Sequence, residues 1–167
     1  MADTQSSGQG HHPQRPFYSQ GAVIEDGVVR SCMPELPIPD IDFATCLRKA
    51  WQKFRERTAL IENATGERCS YEQLEEQCSR VAAGLRGLGF GPGDMAGFHC
   101  GSSLDAIIAF YGVVLAGGCI VLAKPNLSQR ELCHQFGDAK PVLVFSDQAI
   151  VEKVAAAQQK VPSIKVL

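Results

Sequence analysis

The chain has 167 residues, of which 45% are hydrophobic and 20% charged, and this length supports one sizeable hydrophobic core. Its 16 basic and 18 acidic residues give a net charge of −2 without a long basic run, which argues against nucleic acid as a partner. The seven cysteines are widely spaced and form no Cys-x-x-Cys pair. We therefore expect reduced thiols in an intracellular compartment and no metal site.

The N-terminal segments differ in composition from the rest of the chain. Residues 1–21 are polar and lack the apolar stretch of a secretory signal, and such a segment buries too little surface to fold, so we expect a disordered tail. Residues 22–41 follow as a hairpin and a Pro-rich connector, the hairpin being predicted from Asp26-Gly27 between apolar pairs. Residues 42–167 carry the regular helix and strand patterns and form the predicted domain.

The first elements of this domain have clear local signals. Asp42 is a plausible N-cap for an amphipathic helix, and Trp51, the sole tryptophan, falls on its apolar face, where we expect core packing. Residues 58–62 and 68–69 are predicted to form two short strands joined by a turn.

A long helix follows these strands. Ser70 and Gln73 form a capping box at its start, and Gly89 is expected to end it. One face of this helix carries five apolar residues: Leu74, Cys78, Val81, Leu85 and Leu88.

From residue 95 onwards strands and helices alternate. We predict strands at 95–100, 119–122, 142–145 and 164–167, and helices capped by Ser103, Ser128 and Asp147. This alternation favours an α/β fold with a mainly parallel sheet covered by helices. Because the strand at 119–122 is entirely apolar, we expect it to be buried on both faces.

The apolar stretch 107–123 leaves one alternative open, a membrane-anchored protein. A span needs about 20 residues, and Gly117-Gly118 interrupts this stretch. We favour a buried helix, a glycine turn and a buried strand, and expect no membrane span.

Two segments could suggest phosphate binding. The glycine-rich run 87–93 follows a helix and precedes a strand, whereas a phosphate cradle lies between a strand and the N-terminus of a helix. A helix end followed by a Pro-Gly turn explains the run.

Lys124 follows a strand, where it could meet a phosphate or a carboxylate. The interpretation we favour is that Lys124 is a solvated side chain in a loop whose Ser128 caps the next helix.

His99, Cys100, Ser102 and Asp105 could together suggest nucleophilic catalysis. No nucleophile-elbow sequence accompanies them, and Asp105 is well placed to complement the dipole of the following helix. We therefore expect structural roles for these four residues.

Several short motifs, in a fixed order, carry a family resemblance. They are CSYEQL at 69–74, AAGL at 82–85, LG at 88–89, GD at 93–94, AGG at 116–118 and SQREL at 128–132. Together they resemble the opening of the adenylate-forming enzymes, which include acyl-CoA synthetases, coumarate–CoA ligases and luciferases. The chain departs from the family pattern in having Cys-Gly-Ser-Ser at 100–103 where Pro-Asn-Ser is usual, and Lys124 where Asn is common.

The resemblance implies that the full-length parent is an ATP-dependent acid–CoA ligase, in the peroxisome or the cytoplasm. Such a ligase uses ATP, Mg²⁺ and CoA to convert a small carboxylic acid into an acyl-adenylate and then a thioester. The family's phosphate loop and catalytic lysine would lie beyond Leu167, so we assign no catalytic, cofactor-binding or metal-binding residue here. Residues 42–167 would then be an incomplete N-terminal AMP-binding domain, inactive alone and poorly soluble. The alternative is a short noncatalytic α/β binding or regulatory module.

Overall fold

The computed structural model describes residues 22–31 and 37–165. The predicted tail at 1–21 lies outside these residues, as does Pro34 of the predicted connector. The described residues belong to two units that divide between Asp40 and Ile41.

The first unit contains the predicted hairpin. Strands β1 (Val23–Glu25) and β2 (Val28–Arg30) pair antiparallel, with Ile24 opposite Val29. Asp26 and Gly27 connect them with φ values of 51° and 76°. Both central residues of a type I′ turn need this left-handed backbone, which explains the Asp-Gly sequence.

The second unit begins with the predicted helix, hairpin and long helix. Its first elements are α1 (Phe43–Lys53), β3 (Thr58–Ile61), β4 (Arg68–Ser70) and α2 (Tyr71–Gly87). The Asp42 carboxylate accepts a hydrogen bond from the Thr45 amide at 2.8 Å. The capping box forms as predicted. The backbone N–H of Gln73 donates to Ser70 Oγ at 3.2 Å, and the backbone N–H of Ser70 donates to the side-chain Oε1 of Gln73 at 2.9 Å.

The remaining elements alternate as predicted. They are β5 (Met95–His99), α3 (Leu104–Ala116), β6 (Cys119–Leu122), α4 (Gln129–Ala139), β7 (Leu143–Ser146) and α5 (Val151–Gln158). Strands β5, β6 and β7 form a parallel sheet in the order β6-β5-β7. The predicted α/β class is therefore confirmed.

The helices cover the two faces of this sheet. Because side chains alternate along a strand, Phe98 and Leu143 pack in a core with α1, α2 and α3, whereas Val144 packs in a second core with α4 and α5. Phe136 of α4 lies over Gly97, where an added Cβ would come within 2.9 Å of its ring. Trp51 belongs to the first core, as predicted.

Two predictions for the strands are wrong. Strand β6 is not buried, because among the described residues it pairs only with β5 and forms an edge of the sheet, where Leu122 is 64% exposed. An apolar sequence indicates what a strand can bury but does not fix how many neighbours it has. The predicted strand at 164–167 is absent at Ile164 and Lys165, although the Lys165 amide donates to the Val142 carbonyl at 2.8 Å; residues 166–167 lie outside the described part.

Two predictions for the helices also need correction. Asp147 does not cap α5: this helix begins at Val151 after Ile150, which makes no side-chain cap. Leu88 is 68% exposed and does not align with the buried face of α2, on which it was predicted to lie. The predicted end of this helix is confirmed: its last residue is Gly87 and its C-cap is Leu88. Gly89, at φ 82°, takes the left-handed conformation that follows many helix ends.

Within the described residues, no helix has both the length and the apolar character needed to cross a membrane. The apolar stretch 107–123 is divided instead between α3, which ends at Ala116, and β6. Gly117, at φ 90°, turns the chain between them.

Candidate functional site

The order of the three parallel strands creates a crevice at one end of the sheet. Strands β5 and β7 are neighbours in the sheet. Helix α3, which follows β5, packs in the first core, and helix α5, which follows β7, packs in the second core. The connections after these two strands therefore leave towards opposite faces of the sheet, and open α/β sheets bind ligands at the carboxyl ends of such neighbouring strands.

A cleft of about 490 Å³ lies at this position. Its polar lining residues come from the ends of β5 and β7 and from the start of α3: Cys100, Ser103, Asp105, Ser146, Asp147 and Gln148. Residues that follow different strands therefore contribute to one surface, and the topology of the sheet explains this arrangement.

Two carboxylates from distant segments hold the loop that borders this cleft. Asp147 Oδ2 accepts a hydrogen bond from the Gly101 amide at 2.7 Å, and Glu62 Oε2 accepts one from the Leu104 amide at 3.0 Å. Ser103 Oγ accepts a third from the Ala106 amide at 3.1 Å. The protein's own acceptors thus satisfy these three amides in the loop before α3 and in its first turn, so they are not available for a phosphate.

The loop-anchoring roles of Glu62 and Asp147 were missed by sequence reasoning. Each carboxylate pairs with an amide far away in sequence, so no local pattern marks either interaction. The Ser103 cap is local and was predicted.

The structure does not assemble a nucleophilic site from the four residues at 99–105. His99 is fully buried, and neither of its ring nitrogens forms a hydrogen bond with Cys100 or Ser102. It therefore activates neither Cys100 nor Ser102. Burial raises the pKa of the Cys100 thiol, and the Asp147 carboxylate raises it further, so this thiol is a weaker nucleophile than an exposed cysteine.

The glycine-rich run lies at the opposite end of the sheet from the cleft. The Gly89 and Phe90 amides donate to carbonyls of the last turn of α2, and the Gly91 amide donates to Asp94 Oδ2 at 3.0 Å. These bonds form a helix end and a turn that leads into β5, as the sequence predicts, rather than a phosphate cradle.

Two further candidates are the Lys124 side chain and clusters of metal-ligating residues. Lys124 is exposed in the loop after β6, and its carbonyl accepts from the Leu127 amide at 3.1 Å. In the described ranges, no three His, Cys, Asp or Glu side chains are grouped so that they could hold a metal ion.

Comparisons with known proteins place this fold in a family. The family model for AMP-binding enzymes matches residues 47–167, which is more than half of the chain. The chain therefore belongs to the AMP-binding enzyme family, and the adenylate-forming resemblance predicted from its motifs is confirmed.

Individual relatives agree with this assignment. The chain is 30% identical to 4-coumarate–CoA ligase 1 of Petroselinum crispum over 80% of its own length and 25% of the ligase. It is 27% identical to the peroxisomal OPC-8:0-CoA ligase 1 of Arabidopsis thaliana over 81% of its length and 24% of that protein. The chain thus spans about a quarter of the length of these curated relatives.

The solved structures show the same fold. The luciferase-like enzyme from the nonluminescent Zophobas morio mealworm superimposes with a TM-score of 0.73 at 22% identity. The match covers 79% of this chain and 32% of the mealworm enzyme. At this level of identity the likeness supports the α/β fold of the N-terminal part of an adenylate-forming enzyme and says nothing about the substrate.

Proposed function

We propose that this chain is the N-terminal part of an ATP-dependent acid–CoA ligase. The observation that carries the proposal is the family match over residues 47–167. It is supported by relatives that are CoA ligases, about a quarter of whose length the chain covers. Residues 1–21, 22–41 and 42–167 would be its tail, its hairpin with connector and the first part of its AMP-binding domain.

The proposed reaction has two steps. A carboxylate oxygen of the acid attacks the α-phosphorus of ATP, the bond to the β-phosphate oxygen breaks, and pyrophosphate leaves. The sulfur of CoA then attacks the acyl carbon, and AMP leaves. Both steps need positioned cations and amide donors where negative charge develops, and Mg²⁺ would neutralise part of the charge on the phosphates.

The described residues do not fit the phosphates of ATP. The glycine-rich run faces the wrong end of the sheet, and the Leu104 and Ala106 amides at the start of α3 are already bonded to Glu62 and Ser103. We therefore assign no catalytic step to this chain. Its contribution to the ligase would be the parallel sheet and the two cores that support the domain.

The proposed location of the ligase is the peroxisome or the cytoplasm. A peroxisomal or cytoplasmic protein is in keeping with the cysteine pattern of the sequence and with a relative whose name includes the peroxisome. The acid is proposed only as a class, a small carboxylic acid.

We expect the 167-residue chain alone to give no ATP–pyrophosphate exchange with any acid. The test compares it with a version that continues through the full length typical of the relatives, using panels of aromatic and fatty acids with Mg²⁺ and then CoA. The longer protein should exchange label with at least one acid and form its thioester. Exchange by the short chain would overturn our placement of the chemistry, and an inactive, well-folded longer protein would overturn the proposed function.

A further inference from the structure

Strand β6 has an outer edge to which no other strand of the described residues is bonded. On its inner side, the Cys119 amide donates to the Asp94 carbonyl at 2.8 Å, and the Ala123 amide donates to a carbonyl of β5 at 2.7 Å. Because backbone groups alternate in direction along a strand, the amides of Ile120 and Leu122 point away from β5. The outer edge can therefore accept a further strand.

One backbone group at this outer edge already has a partner. The Leu122 carbonyl accepts a hydrogen bond from the side-chain amide of Gln135 on α4, at 2.8 Å. The groups left for a further strand are the N–H and the carbonyl of Ile120 and the N–H of Leu122. The Gln135 bond marks the end of the stretch that can pair.

The composition of β6 differs from that of a strand adapted to an exposed edge. Proteins usually protect such edges with charged residues, proline or a bulge. Strand β6 has the sequence Cys-Ile-Val-Leu, without a charge or a proline, and Leu122 is 64% exposed. An entirely apolar strand is typical of a sheet in which it has neighbours on both sides.

We propose that an extended segment of the same ligase chain, from beyond residue 167, pairs with the outer edge of β6. The inference rests on the proposed function, because it requires the chain to continue. The relatives support it, since the chain spans only about a quarter of their length. The segment would bond to the free backbone groups of Ile120 and Leu122 and would place an apolar side chain over Leu122.

A second copy of the chain is less suitable as the occupant. Strand β6 has only four residues, whereas stable interfaces between proteins bury about 1,200 Å² or more. A segment of the same chain avoids the translational entropy that association costs, so a short edge is sufficient for it. Residues 1–21 are also unsuitable, because they are polar and the edge requires apolar side chains.

Amide hydrogen–deuterium exchange on the full-length ligase, resolved to single residues by fragmentation, tests the pairing. The Cys119 and Ala123 amides, which donate on the β5 side, are the internal reference. After correction for intrinsic rates, the Ile120 and Leu122 amides should exchange within about tenfold of this reference, because the amides of one ladder are released by the same opening. In the 167-residue chain these two amides should exchange at least about a hundredfold faster than the reference.

Leu122→Pro tests the same pairing by a second measurement. Proline removes the backbone N–H, which at Leu122 makes no bond to β5, so proline is tolerated there if the edge is free. In the full-length ligase, Leu122→Pro should lower the midpoint of thermal unfolding further than the matched control Leu122→Ala, which keeps the N–H. In the 167-residue chain the two variants should behave alike. Equal midpoints in the full-length ligase would contradict the pairing.

The outcomes separate this inference from the proposed function. An active ligase whose Ile120 and Leu122 amides exchange a hundredfold faster than the reference would overturn the pairing and leave the function intact. An inactive full-length protein with both amides protected would overturn the function and support the pairing. Protection of both amides in a 167-residue chain that sediments as a dimer would identify a second copy as the occupant and overturn the inference.

Discussion

Phe136→Ala should lower the free energy of unfolding by about 3–5 kcal/mol, the usual cost of removing a buried aromatic side chain. Phe136 lies on α4 and is 0% exposed. Its ring fills the space over Gly97 and contributes to the core shared by α4, α5 and β7. The cavity left by truncation would lie directly against the central strand.

Phe43→Ala provides the matched control, because it deletes the same atoms at a surface position. Phe43 begins α1 and is 61% exposed, so the expected change is within about 0.5 kcal/mol. Urea unfolding followed by circular dichroism measures both variants. If Phe136→Ala abolishes the transition, Phe136→Leu should show a smaller loss in the same direction. Equal effects at the two phenylalanines would contradict the assigned core.

Gly112→Ala and Gly84→Ala should change stability in opposite directions, although both replace a helical glycine by alanine. Gly112 of α3 faces α2, and an added Cβ would lie 2.4 Å from Val81 Cγ1 and 2.6 Å from Val81 Cβ. The Val81 Cβ is fixed to the backbone, so the two helices must move apart. Overpacking of this kind costs about 1–3 kcal/mol, which exceeds a helix-propensity gain of at most about 1 kcal/mol.

The exposed Gly84 of α2 has no such neighbour, since no described atom lies within 4 Å of a Cβ built there, outside its own helix. Alanine at this position should raise the free energy of unfolding by about 0.5–1 kcal/mol. The same urea titrations measure both changes. Stabilisation by Gly112→Ala would show that α2 and α3 do not pack as closely as described.

Local chemistry made much of the fold predictable. Asp42, Ser70, Ser103 and Ser128 each accept a bond from an amide three residues ahead, and a pattern of that range can be recognised in sequence. Asp147 misled the prediction because its partner, the Gly101 amide, is distant along the chain. A local rule therefore assigned its carboxylate to the nearer helix.

Features that depend on the assembled sheet could not be predicted in the same way. The composition of β6 indicates an apolar strand, but its edge position depends on the order β6-β5-β7. Likewise, nothing beside His99 in the sequence indicates that its ring is fully buried. The cleft between β5 and β7 also follows from topology, because its lining residues come from separate parts of the chain.

The central claim, that this chain is the opening of a longer acid–CoA ligase, is tested most directly by sequencing the native transcript past the codon for Leu167. The account predicts an open reading frame that continues into a Ser/Thr- and Gly-rich loop containing a lysine, the type of segment that binds the phosphates of ATP. A stop codon directly after Leu167 would contradict the claim and leave a short α/β module of the AMP-binding enzyme family.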